Sequence, residues 1–518
     1  MLSMIAPFVC IKLLLKLCER CRNVSFLQRI KDSAARVLDG FTAPVRMVLA
    51  ASQLLRAAIP LRNNQPMGSK NLPKVIGTDD YIQLSNGRKA RVILLNNAAT
   101  TPPFEITLQA VNDFLQTYSA THRGAGPHAN QTLRRVEAAL ETIREFLDAK
   151  RDHALLFTQN TSVAINLFAR LLRLTPDDVI VTSAIEHTSN NLPWRLSTPA
   201  KVMHANAFDD GSLDYDDLRD KLGQHPGKIK LVAITGASNL TGCVTDIPKV
   251  AKLAHDHGAL LFVDAAQLAP HRKIDMDRDG IDALAFSAHK MYAPFGLGIL
   301  VLPQSLLDNA PVDPGGGSID MISESGDLVW APAPARHQTG TWNVTGVIAL
   351  AASCKAMMEA GWNNITAHEA ELVRYAAKRL PEVSNIVLYI PPDKYVNEDR
   401  IGTFPFNLNG YHHALLSAVL EHEYGIETRS GTICNHRLVR RWFKVSDRHQ
   451  EQIEVEILGG NRLASYGVVR ASLGIHNTKA DIDALVQALK EIAAKGHRLK
   501  YKALPSEEAY ACDDESSD

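Results

Sequence analysis

Between residues 154 and 302 the chain repeats one pattern: a short apolar run, a polar turn, then an amphipathic or irregular segment. The runs are 154-ALLFT-158, 179-VIVTS-183, 201-KVMHA-205, 230-KLVAITG-236, 259-ALLFVDA-265, 283-ALAFS-287 and 297-LGILVL-302. Runs this short, rich in Val, Ile, Leu and Phe and bounded by turn residues, suit strands. Segments such as 162-SVAINLFARLLR-173 and 248-PKVAKLAHDHG-258 carry apolar residues at helical spacing between them. Strands alternating with helices predict an α/β domain built on a mostly parallel seven-stranded sheet with helices on both faces. In such a sheet ligands bind beyond the carboxyl ends of the strands, so the chemistry is expected at the residues that follow each run.

Those residues are polar and diverse. The first run passes into Gln159-Asn160-Thr161-Ser162, where a helix starts, and hydroxyls with free N–H groups at a helix start can hold an anion. The second passes into 184-AIEHTSNNLPW-194, which carries His187. After the fourth comes 237-ASNLTG-242 with Asn239. The fifth ends at Asp264, a carboxylate that is costly to bury without a partner, with Gln267 three residues on. The sixth ends at Ser287, His289 and Lys290, and a lysine at the mouth of an apolar pocket is a candidate amine nucleophile because desolvation lowers its pKa. Singly, each is an ordinary cap, turn or surface residue. Together they are the groups needed to hold pyridoxal 5'-phosphate: a lysine for the covalent link, a carboxylate for the pyridinium nitrogen, an anion cup for the phosphate, an imidazole to stack on the ring and amides for the phenolic oxygen.

The remaining chain divides by texture. Residues 1–90 read as a helical extension and linker, with helical patterns over roughly 25–58 and a polar stretch at 62–74. Residues 91–344 form the large domain. A long helical pattern at 345–361 opens a smaller α+β domain to 502, and the acidic stretch 503–518 is expected to be disordered. Residues 1–22 are apolar but interrupted by Lys12 and Lys16, which suits a helix docked on protein or lying on a membrane surface. Lys+Arg and Asp+Glu both total 56 of 518 residues, so no global field attracts nucleic acid. Seven cysteines, an odd and scattered set, do not form a disulfide framework. A reducing, cytoplasmic location is expected. Cys18 and Cys21 form a single pair with no second pair to complete a metal site, so no metal is expected.

With these residues in place, the chain resembles the class V aminotransferase family of fold-type I pyridoxal-phosphate enzymes, and within it the cysteine desulfurases and selenocysteine lyases. The resemblance covers roughly 93–496. It is carried by 95-LNNAATTP-102, 157-FTQNTSVAINL-167, 185-IEHTSNNLPW-194, 238-SNLTG-242, 263-VDAAQ-267, 286-FSAHKMYAPFGLGIL-300, 340-GTWN-343, 429-RSGTIC-434 and 470-RASLGIHNT-478. It implies that Lys290 carries the cofactor and that Asp264 pairs with its ring nitrogen. It implies that His187 stacks on the ring, that Asn239 and Gln267 lie near the phenolic oxygen, and that Thr161, Ser162, Ser287 and His289 hold the phosphate. Thr341 matches a threonine that completes the cup of a neighbouring subunit, which implies a homodimer. Arg470 matches the clamp for the substrate carboxylate, and Asn97 lies in the motif that borders the substrate. Cys434 stands where desulfurases carry the nucleophilic cysteine, with Arg429 and His436 nearby in sequence. The implied reaction converts L-cysteine, or selenocysteine, to L-alanine and leaves the sulfur as a persulfide on Cys434 for an acceptor protein. Transamination, epimerisation or elimination on another amino acid would keep Lys290, Asp264 and Arg470 and make no use of Cys434.

The chain departs from the family pattern in three places. Asn96 replaces an aspartate common in the opening motif. A charged insert spans 437–462 between Cys434 and Arg470. The first 90 residues have no counterpart in the shared core.

Overall fold

The computed structural model describes residues 72–121 and 124–513. The helical patterns expected before residue 72, the Cys18–Cys21 pair and the last residues of the acidic tail lie outside the described residues.

Seven strands form the main sheet: β1 (His153–Thr158), β2 (Val179–Ser183), β3 (Lys201–Ala205), β4 (Ile229–Thr235), β5 (Leu260–Asp264), β6 (Ala283–Ser287) and β7 (Gly298–Pro303). Their order is β1-β7-β6-β5-β4-β2-β3. β7 runs antiparallel to both neighbours, while the β6–β5, β5–β4, β4–β2 and β2–β3 pairs are parallel. All seven expected strands are present, each within two residues of its predicted bounds.

Alternation along each strand feeds two cores. In β5, Leu261 and Val263 join the layer that contains the helices Glu105–Leu115, Pro127–Leu147 and Val344–Ala360, while Phe262 points to the opposite layer. In β6, Leu284 and Phe286 take the first side and Ala283 and Ala285 the second. The alanines leave room for the helix Thr161–Leu171, whose Phe168 stacks on Phe262 at 5.0 Å with Trp194 edge-on at 5.7 Å. Cutting Phe262 back to alanine removes this contact at a cost of about 3–5 kcal/mol.

The smaller domain carries a four-stranded antiparallel sheet in the order Ile386–Leu388, Thr403–Leu408, Val468–Ser472, Arg429–Gly431. The helices Trp362–Arg379, His413–Tyr424 and Lys479–Lys495 pack its core around Leu372, Phe406, Leu416, Val469 and Leu485. Thr478 and Asp481 close a capping box at the start of the last helix.

Three expected boundaries change. Residues 81–83 and 89–91 pair as a short antiparallel ladder inside the expected linker. Ile93–Leu94 then pairs with Ile426–Glu427, and Leu95 is buried with the smaller domain, so the start of the expected large domain is shared with the smaller one. Tyr501–Leu504 and Ala509–Cys512 form a hairpin where disorder was expected. Composition alone misses this because one buried carboxylate holds the segment: Glu423 accepts the backbone N–H groups of Arg498 and Leu499 at 2.9 and 3.0 Å. Among the described residues, no single helix is long and apolar enough to cross a membrane.

Candidate active site

A cavity of about 360 Å³ opens at the carboxyl ends of β2, β4, β5 and β6, against the small-domain strand pair that carries Arg429 and Arg470. Its first wall is the start of the helix Thr161–Leu171. The Asn160 side chain caps this helix by accepting from Val163 N at 3.0 Å. Thr161 N donates to Ser287 Oγ at 2.7 Å, and the Thr161 and Ser287 hydroxyls lie 2.5 Å apart. Ser162 and Ser189 hydroxyls meet at 2.5 Å. Hydroxyls packed around a helix start make an anion cradle. Gly298 allows it to form: a Cβ there would lie 2.4 Å from the Asn160 carbonyl carbon. The turn between β1 and the helix therefore rests directly on the backbone of β7.

The second wall is β5 and β6. Asp264 is 3% exposed and accepts from Ala266 N at 3.0 Å. Burial pushes its carboxyl pKa up, against that N–H and the charge of Lys290. It forms no ion pair among the described residues, so it is a buried acceptor awaiting a cationic donor. After β6 a single 3-10 turn, Ala288–Lys290, presents the lysine. Thr101 fixes this turn, since its N–H and hydroxyl both donate to the His289 carbonyl, at 2.9 and 3.1 Å. Burial pushes the Lys290 amine down to about 8, helped by Arg470 and opposed by Asp264 and Cys434. The His289 ring contacts Thr100 Oγ1 at 3.2 Å.

His187 caps a short turn, its Nδ1 accepting from Ser189 N at 3.1 Å. A backbone N–H on Nδ1 leaves the proton on Nε2. Burial, then Lys290, Arg470 and His436, push the ring down to about 3, so it presents a neutral, flat surface to the cavity. Behind it lies a network that the sequence did not disclose. Glu186 accepts from Ser183 Oγ and from Asn190 Nδ2, and Asn190 Oδ1 accepts from Trp194 Nε1. Burial pushes the Glu186 carboxyl up to about 8. A glutamate beside a histidine in a loop gives no sign of burial until the packing is known.

Arg470 is 2% exposed. Its Nη1 donates to the Asn239 carbonyl at 2.9 Å and its Nη2 to Asn96 Oδ1 at 3.1 Å, while its Nε is buried without a partner. Burial, then Arg429, push it down to about 9. Asn96, the neutral residue in the opening motif, touches the guanidinium without cancelling its charge. Among the described residues this buried cation has an unmet donor and no carboxylate partner, which suits the carboxylate of an amino acid.

Cys434 completes the wall. Its side chain is exposed to the cavity, on a turn where Ile433 and Cys434 both have left-handed φ, 53° and 56°. Such backbone costs of order 1–3 kcal/mol per residue and persists only where the surroundings impose it. Here they do. Asn239 Nδ2 donates to the Ile433 carbonyl at 2.9 Å, Thr188 N to the Cys434 carbonyl at 3.0 Å and Asn435 Nδ2 to the Ile185 carbonyl at 2.8 Å.

The structure thus brings Thr161, Ser162, His187, Asn239, Asp264, Gln267, Ser287, His289, Lys290, Cys434 and Arg470 to one cavity. Gln267 donates to the Ala98 carbonyl there at 2.6 Å. Two expected residues do not line it. Asn97, expected at the substrate, is buried instead, and its Nδ2 bridges the carbonyls of Leu94 and Ser472 at 2.8 and 3.0 Å. Thr341 is exposed on a loop of the same chain. Asn160, Ser189 and Ala98 line the cavity without having been expected, and Arg429 joins them.

The aminotransferase class-V family profile matches residues 93–485. The chain belongs to the class-V aminotransferase family. Its relatives in that family include a probable cysteine desulfurase of Halalkalibacterium halodurans, 32% identical over 77% of this chain and 93% of the relative. A probable cysteine desulfurase of Staphylococcus epidermidis is 32% identical over 77% of this chain and 92% of its own length. Among solved structures, a cysteine desulfurase of Thermococcus onnurineus superposes with TM-score 0.68 at 28% identity, covering 78% of this chain and 95% of that one. A cysteine desulfurase of Escherichia coli gives 0.66 at 29% identity, covering 79% and 96%. Class-V aminotransferases use pyridoxal phosphate, and the cavity fits that group. The hydroxyl-lined helix start suits its phosphate, the unpaired buried Asp264 its ring nitrogen, the depressed amine of Lys290 its aldehyde and the neutral face of His187 its ring.

Proposed function

We propose that this chain is a cysteine desulfurase that binds pyridoxal 5'-phosphate and converts L-cysteine to L-alanine with the sulfur taken up on Cys434. The observation that carries this reading is the Cys434 thiol on the wall that also presents Lys290 and Arg470. When bound, the cofactor supplies an electron sink for negative charge on the substrate carbons. Thr161, Ser162, Ser287 and His289 would hold its phosphate. Asp264 would keep its ring nitrogen protonated, and Asn239 and Gln267 border the site.

The protein's own groups do the rest. Arg470 orients the substrate through its carboxylate, using the free Nε donor. The Lys290 amine, neutral in part near neutral pH, takes the proton from the substrate Cα. The Cys434 thiolate attacks the substrate sulfur. An S–S bond forms, the Cβ–S bond breaks, and Cβ receives a proton. One cysteine and one enzyme thiol thus give one alanine and one persulfide, with no further oxidant or reductant. Selenocysteine would follow the same path. Intact-mass measurement of the holoenzyme after L-cysteine tests the transfer: one added sulfur, mapped to Cys434, is expected.

We further infer a homodimer. The hairpin that pairs Ile319–Ile322 with Leu328–Trp330 exposes Met321, Ile322, Leu328, Val329 and Trp330 together, an apolar patch that a second copy would cover. Thr341 follows it in the chain and is free to enter a neighbour's site. The insert is helical at His436–Trp442 and Asp447–Leu458, and it leaves Val455 and Leu458 exposed. This surface, close in sequence to Cys434, suits a sulfur-accepting protein. Light scattering of the purified protein, alone and with a candidate acceptor, reads both.

A further inference from the structure

The C-terminal hairpin lies beyond the part of the chain that matches the family, yet it packs against the strand Arg429–Gly431, which supplies Arg429 to the substrate cavity. Arg429 lines that cavity, and it stands directly opposite Arg470 in the antiparallel pair of strands that carries both. Two guanidinium groups on neighbouring strands without a carboxylate between them would attract a ligand with two acidic groups, one for each. Arg429 forms no ion pair within 4.0 Å among the described residues, and it is exposed at the rim.

The hairpin brings a carboxylate to this strand. Glu508 sits at the hairpin's turn with left-handed φ of 55°. Its Oε1 lies 3.3 Å from where a Cβ would stand on Gly431, two residues from Arg429, and it is buried without a hydrogen-bond partner. Burial pushes this carboxyl pKa up, opposed by Arg429 and then Arg462, and the ring of His413, held neutral by burial, is 3.9 Å away. The segment is held in place by the buried Glu423 acting on the backbone of residues 498 and 499. Gly431, at φ 106°, gives the carboxylate its space.

We propose that Glu508 is a specificity-determining residue of this cavity: supplied by the C-terminal hairpin, it offsets the charge of Arg429 and so disfavours amino acids whose side chains end in an anion. This rests on the reading of the cavity as an amino-acid site. Arg470 remains without a carboxylate partner among the described residues and takes the carboxylate common to all amino acids. Arg429, balanced by Glu508, no longer selects for a second acid, and a neutral thiol side chain is accepted.

The test uses holoenzyme of wild type, Glu508→Gln, Glu508→Asp, Arg429→Gln and the Glu508→Gln/Arg429→Gln pair. Binding of L-aspartate and of L-alanine is titrated through the visible absorbance band, a readout that needs no turnover. In Glu508→Gln the affinity for aspartate relative to alanine is expected to rise about tenfold, the effect of about one unit of pKa-scale charge interaction. Glu508→Asp should restore the wild-type ratio, and the double variant should lose the gain. A purely structural role of the hairpin would weaken both ligands together. A ratio unchanged in Glu508→Gln, or a gain that persists without Arg429, overturns the proposal. A wild-type band that responds to no amino acid would overturn the reading of the cavity, and this inference with it.

Discussion

The backbone N–H of Thr188 donates to the carbonyl of Cys434 at 3.0 Å, joining the loop of His187 to the loop of the thiol. Thr188 follows His187 directly, so neither loop can shift without the other. With the bonds from Asn239 and Asn435, this makes the position of the thiol a property of the cavity's own wall.

Asn435→Ala should therefore loosen the thiol without removing it. It deletes a buried donor to the Ile185 carbonyl and leaves that acceptor unmet, a loss of about 1–3 kcal/mol. Denaturant unfolding should show this drop, and stopped-flow measurement should show slower sulfur transfer with an unchanged cofactor band. Equal transfer rates would mean that the loop does not hold the thiol.

Lys290 gives a pH signature. Its amine is held at about 8 rather than 10.5, because burial outweighs the attraction of Asp264. The neutral amine reacts with an aldehyde, so the rate of cofactor uptake by the apoprotein should rise with pH to a midpoint near 8. A depressed amine also contributes stability that is full above the ordinary lysine pKa and lost as pH falls toward 8. A midpoint for uptake near 10.5 would contradict the burial of this group.

Arg470→Gln separates binding from stability. Substrate affinity should fall by roughly a hundredfold, on the scale of about 2–5 kcal/mol for truncating one partner of a buried charge pair. The melting temperature of the ligand-free protein should hold or rise, since the variant removes a buried cation that has no counter-charge. Arg470→Lys keeps the charge but not the fork, and should recover only part of the affinity.

Gly298→Ala tests the cradle. The added Cβ would fall 2.4 Å from the Asn160 backbone, so the turn before the helix Thr161–Leu171 must move. Overpacking of this kind costs typically about 1–3 kcal/mol. Cofactor affinity should fall along with stability, because the displaced turn carries the N–H of Thr161. A stable variant with wild-type cofactor affinity would show that the close approach is dispensable.

Most of the seven strands were legible as short apolar runs bounded by turn residues, and polar groups at or just past their ends, such as Asp264 and Lys290, stood out against them. Cys434 and Arg470 were legible only through resemblance, since no periodicity marks them. What escaped the sequence depends on long-range packing. Asn97 looked like a substrate contact, yet its amide donates to the carbonyls of Leu94 and of Ser472, the latter 375 residues away in the chain. Glu186 gave no sign of its buried network. The hairpin at 501–512 looked disordered because its anchor, Glu423, lies in a helix more than seventy residues earlier. Glu508 comes beside Gly431, two residues from Arg429, only because the hairpin folds back onto the strand.

The central claim is that Cys434 takes the sulfur. The most direct measurement is alanine and sulfide formed from L-cysteine by holoenzyme of wild type and Cys434→Ser, with and without a thiol reductant. The account predicts that wild type releases alanine and sulfide one for one with reductant and stalls after a single turnover without it. Cys434→Ser, with its cofactor band intact, should lose roughly a hundredfold or more of alanine formation, as removal of a nucleophile does. A serine variant that makes alanine and sulfide at the wild-type rate would contradict it.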